Sequence, residues 1–91
     1  MASIGGGDGM ITKYIKAAMG RARYEILADD GSYYGEIKEC PGVYANAMTL
    51  DKCREELEQV LEEWILFRVY KNFEIPPIGR IRIDIPTQAV V

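Results

Sequence analysis

The sequence predicts an α+β fold ordered as a short helix, a three-stranded antiparallel meander, a long amphipathic helix and a final strand. Three observations carry this. Asp30-Gly31 lies between two runs of alternating residues, the signature of a β-hairpin. Pro41-Gly42 separates the second run from a shorter third one. From Leu50 onward, apolar residues recur at steps of three and four, as one face of a helix requires. At 91 residues the chain is one small domain.

Residues 1–9, MASIGGGDG, are Gly-rich and too polar for a targeting sequence and are expected to be a flexible tail, leaving 10–91 as the domain. In MITKYIKAAM the apolar positions 10, 11, 14, 15, 18 and 19 predict a short amphipathic helix, closed by Gly20. RARYEIL is the first strand, with Ala22, Tyr24 and Ile26 on one face. YYGEI is its return, and Gly35 in its interior signals a bulge or a close backbone approach. VYANA is the third strand, with Val43, Ala45 and Ala47 together on one face.

Thr49 is placed to cap the long helix, with acids in its first turns and Arg68 and Lys71 in its last. Its expected apolar stripe is Leu50, Cys53, Leu57, Val60, Trp64 and Phe67, widened by Leu61. EIPPIG ends it. RIRIDI then alternates, with Ile81, Ile83 and Ile85 on one face, and predicts a half-buried last strand.

Histidine is absent, which removes the usual base near neutral pH and the commonest metal ligand. Two cysteines with twelve residues between them, and no histidine, make neither a zinc site nor a Cys–His nucleophile. Cys40 reads as a turn residue and Cys53 as a small core residue. Gly35, Pro41 and Gly42 read as a structural corner. Glu25, Glu36 and Asp84 form the one carboxylate set worth weighing for a divalent metal, but Arg23 and Arg82 share their faces and point to ion pairing. Tyr33, Tyr34 and Tyr44 lack the interleaved basic residues of a nucleic-acid platform and read as sheet packing. No enzyme activity, cofactor or metal is expected.

The net charge of −3 is unevenly spread: residues 24–65 carry −8, against +3 before and +2 after. Glu55, Glu58 and Glu62 are therefore expected to form an acidic docking surface for a basic partner. Beyond Glu63 the helix is apolar nearly all round, so Trp64, Ile65, Leu66, Phe67, Val69 and Tyr70 are expected to be an interface covered by another chain, a second copy included, with the chain's own N-terminal helix or tail as the alternative cover. No apolar run approaches a membrane span and no targeting sequence is visible, so a cytoplasmic protein with reduced cysteines is expected.

The blocks YYGEIKECPG, VYANAMT and CREELEQVLEEW, in this order and spacing, resemble the HicB-like antitoxin family over about residues 21–78. The resemblance implies a degraded RNase-H-like core without catalytic function. It implies oligomeric assembly and direct occlusion of HicA, a small basic toxin that cleaves mRNA. Ala47 stands where the family often has Gly. Full-length members carry a C-terminal DNA-binding domain, for which 91 residues leave no room, so direct DNA binding is not expected. The runner-up reading is a homo-oligomeric structural or regulatory protein of the same fold with no toxin.

Overall fold

The computed structural model describes residues 5–83. Its elements are α1 (Gly5–Gly20), β1 (Arg23–Ile26), β2 (Tyr33–Glu36), β3 (Tyr44–Ala47) and α2 (Leu50–Lys71). The sheet is an antiparallel meander in the order β1-β2-β3. The predicted α+β arrangement of helix, meander and long helix is therefore present.

Two ends differ from expectation. α1 begins at Gly5, inside the run expected to be a tail. Glycines carry no side chain, so the apolar periodicity that reveals a helix starts only at Met10. At the other end, Ile78 and Ile81 bond to each other across a tight turn with Gly79 at φ +58°, and no strand forms over residues 80–83. Residues 84 and 85 of the expected last strand, Asp84 among them, lie outside the described residues.

The hairpin loop is longer than a two-residue turn at Asp30-Gly31, spanning residues 28–31. Leu27 N–H donates to the Ser32 carbonyl and Gly31 N–H to the Leu27 carbonyl, with Gly31 in the left-handed region at φ +72°. Ser32 is buried and satisfied: its N–H donates to Asp30 Oδ1, and its hydroxyl accepts from Asn46 Nδ2 at 2.9 Å. That pairing leaves the Asp30 carboxyl below the usual carboxylate range, the Ser32 side chain being the main cause.

α2 is closed at both ends. Thr49 is extended, and its hydroxyl accepts from Lys52 N–H at 3.1 Å. At the other end Asn72 takes φ +62°, while Phe73 N–H reaches the Arg68 carbonyl and Asn72 N–H the Val69 carbonyl. This is a Schellman closure, with its usual apolar contact supplied by Phe67 and Phe73, 5.9 Å apart edge to face.

The helix buries Cys53, Leu57, Leu61 and Ile65, a row at steps of four, rather than the expected stripe ending at Phe67. Such a row is inclined to the helix axis. Val60 and Trp64 flank it half-buried, while Leu50 and Phe67 are exposed. The row packs on Ile37, Val43 and Ala45 from the sheet and on Tyr14 and Ala18 from α1. Ile75 and Ile78, from the segment after α2, complete the core.

Candidate functional site

The Cys-Pro-Gly corner is built by backbone bonds. Val43 N–H donates to the Cys40 carbonyl at 3.0 Å, with Pro41 and Gly42 as the central residues and Gly42 at φ +97°. That is a type II turn, whose third position needs positive φ and whose second suits proline. Ile37 N–H then donates to the Val43 carbonyl and resumes the ladder. α2 holds the corner from below, where the Trp64 indole N–H donates to the Pro41 carbonyl at 3.1 Å.

Gly35 faces Tyr24 directly across the β1–β2 pairing. The Tyr24 ring lies over it: a Cβ there would meet ring carbons at 2.8 Å and Cys53 Sγ at 3.3 Å. The close approach is therefore the reason for glycine, and the β1–β2 register runs unbroken past it with no bulge.

Both cysteines are free, fully buried and pushed above the ordinary thiol range by that burial. Cys40 Sγ lies 3.6 Å from the Tyr14 hydroxyl, which donates to the Pro76 carbonyl. Burial also raises the Tyr14 phenol well above its ordinary value. Neither thiol has the exposed, electropositive setting that makes a nucleophile. Among the described residues, no group of three or more Cys, Asp or Glu side chains is arranged to hold a metal ion. Glu25 and Glu36 share the outer face of the sheet, where Glu36 lies opposite Arg23 in the strand register and accepts from the Tyr34 hydroxyl. No described helix is long and apolar enough to cross a membrane.

α2 carries the most unusual surface. Glu55, Glu58, Glu62 and Leu66 follow at steps of three and four, and Val69 and Tyr70 lie three and four residues beyond Leu66, so the six form one stripe. All six are exposed. The stripe is acidic in its first half and apolar in its second, where Leu66 is 67 % and Tyr70 83 % exposed. Phe67 and Phe73 widen the apolar half. The acidic half is partly compensated: Lys52 lies 3.8 Å from Glu55, and Glu58 borders an open depression with Lys16 and Arg54.

Two of the expected interface residues have other places. Ile65 is only 2 % exposed and belongs to the core, because the buried row runs at steps of four through it. Trp64 is half-buried against the corner, and the Arg68 guanidinium stacks on its ring at 4.7 Å. Arg68 also donates through Nε to the Glu74 carbonyl, tying the end of α2 to the segment that follows. Tyr14 was legible only as one apolar position of α1, and Ile75 and Ile78 only as part of a helix end. Their isolated apolar character between prolines and glycine was the available signal.

A family model described as UPF0150-like matches residues 13–76. No curated protein matches the sequence. Among solved structures, the chain is similar to the crystal structure of TTHA0281 from Thermus thermophilus, at 45% identity and a TM-score of 0.81, over 86% of this chain and 96% of that one. The matched span runs from α1 through the corner and all of α2 to Pro76, and on that evidence the chain belongs to the UPF0150-like family.

Proposed function

We propose that this chain is a protein-binding module of antitoxin type, and that the outward stripe of α2 is where its partner docks. The observation that carries the reading is the stripe itself, with three acids followed by Leu66, Val69 and Tyr70 on one exposed helix face. A small basic protein with an apolar patch matches both halves, because opposite charge steers the encounter and buried apolar and aromatic groups hold it. The family is HicB-like, which makes a HicA-type mRNA-cleaving toxin the partner of choice. The module acts by stoichiometric occlusion without turnover, and no residue is assigned a catalytic role. Purification from the native host, with mass spectrometry of what accompanies it, tests this. The expected companion is a small basic ribonuclease in fixed ratio, whose mRNA cleavage stops when the chain is added. A companion whose cleavage continues undiminished refutes occlusion.

A second reading is a homo-oligomeric protein of the same fold with no toxin. It is favoured by the strongly apolar second half of the stripe, which suits a second copy as well as a toxin. Leu66→Glu with Val69→Glu should then lower the mass in solution, and an unchanged mass refutes self-association through α2.

A further inference from the structure

β1 is an edge strand, and among the described residues no element pairs with its outer side. Leu27 N–H donates toward β2, to the Ser32 carbonyl at 2.8 Å. Successive residues of a strand present their backbone groups to opposite sides. Arg23 and Glu25 therefore bond inward to β2, while Tyr24 and Ile26 turn N–H and C=O to the open side. Natural edges are blunted by short length, charged side chains, proline or a bulge. Arg23–Ile26 is short and charged but has no proline or bulge, its two charges are of opposite sign and so can meet their complements on a second copy, and Ile26 on the helix-facing side is 63 % exposed.

We propose that β1 pairs antiparallel with β1 of a second copy, about a twofold axis at Tyr24, joining the two sheets into one. Register decides the partner. Outward-facing residues must meet outward-facing residues, so within the strand the axis falls at Arg23, Tyr24, Glu25 or Ile26. An axis at Arg23 or at Glu25 sets that charge against its own symmetry mate, which is unfavourable. An axis at Ile26 runs past the strand end into the hairpin loop. The axis at Tyr24 sets Arg23 of each copy opposite Glu25 of the other on the outer face. On the helix-facing side it sets Ile26 opposite Ala22, apolar against apolar. Tyr24 exchanges both backbone bonds with its mate. The Ala22 carbonyl accepts from the other copy's Ile26 N–H, while Ala22 N–H stays with the Met19 carbonyl. Within each chain Arg23 already faces Glu36. The joined sheet therefore carries Glu36, Arg23 and the other copy's Glu25 in one alternating row. The strand is self-complementary in charge and in apolar side chains, and the occupant is a second copy of this chain.

The test is a charge-swap cycle read as mass in solution, by sedimentation equilibrium, with no toxin or other partner present. Arg23→Glu and Glu25→Arg each set like charges opposite one another at both symmetric positions and should weaken the dimer roughly tenfold or more. The double variant restores opposite charges between the copies, while within each chain an acid then faces Glu36, and should recover most of the natural mass. Far-UV circular dichroism checks that each variant folds. Ile26→Lys, at a position already exposed, should dissociate the dimer without touching the Arg23–Glu36 pair. A natural chain that is monomeric at all concentrations overturns the proposal. So does a mass indifferent to all the single changes, or a double variant as weak as the singles. Leu66→Glu, run in parallel, reports on α2 alone, so failure of this pairing and failure of the docking reading are told apart.

Discussion

Gly35→Ala is the substitution whose sign the geometry decides. Alanine in a strand ordinarily improves on glycine by about 0.5–1 kcal/mol, because less chain entropy is lost on folding. Here the added methyl would lie 2.8 Å from two carbons of the Tyr24 ring and 3.3 Å from Cys53 Sγ. Those ring carbons are not the far end of a flexible chain, so the whole ring must turn off the sheet. Overpacking of this kind costs about 1–3 kcal/mol, which exceeds the entropic gain. The expected net loss is about 1–2 kcal/mol, or a fall in Tm of roughly 10 °C for a domain of this size. Urea unfolding followed by circular dichroism measures it. In a Tyr24→Val background the obstructing ring is gone, and the loss should shrink by more than about 0.5 kcal/mol, the usual limit of additivity. Gly20→Ala is the opposite case: nothing lies within 4 Å of its added Cβ at the end of α1, and it should stabilise. A Gly35→Ala protein as stable as the natural one refutes the reasoning. So does a loss of the same size with and without the Tyr24 ring.

Thr49→Ala removes the acceptor for Lys52 N–H and should cost about 1 kcal/mol in the same assay. Tyr14→Phe leaves the Pro76 carbonyl without its donor and should cost about 1–2 kcal/mol, with no change in far-UV signal at low denaturant. The folded-state pKa of Cys40 and of Cys53 is raised by burial, so their contribution to stability is full below the unfolded thiol value of about 8.5 and is lost as pH rises beyond it. The urea midpoint should therefore fall between about pH 7.5 and 9.5, and a thiol reagent at about pH 8 should label the folded protein no faster than it unfolds; rapid labelling would contradict the burial.

Local chemistry made much of this fold legible. Thr49, the three-four spacing after it and the basic last turn mark α2 almost to the residue. Asp30-Gly31 and Pro41-Gly42 mark the two reversals, because positive φ at Gly31 and Gly42 is a local demand. What was hidden depends on tertiary direction. Whether α2 buries Phe67 or Ile65 is decided by how the helix crosses the sheet, and periodicity alone leaves both open. For that reason Ile65 was expected in the interface and is found in the core. The place of Tyr14 between Cys40 and Pro76 joins residues far apart in sequence, which no spacing rule reports. The alternation of RIRIDI describes a chain able to form a strand, while its described part instead turns back at Gly79. The acidic-to-apolar change along α2 was legible because both halves are surface features of one helix.

The docking surface is tested most directly by calorimetry, titrating any small basic protein that accompanies the chain on purification from its host against the natural protein and a Leu66→Glu, Tyr70→Glu variant. Both positions are among the most exposed apolar residues, so the variant should fold and melt as the natural chain does. The expected result is a complex of fixed ratio with the natural chain and at least roughly tenfold weaker binding by the variant, since buried aromatic and apolar anchors carry most of an interface's energy. Equal binding by both, or no binding by the natural chain, contradicts the assignment of this stripe as the docking surface.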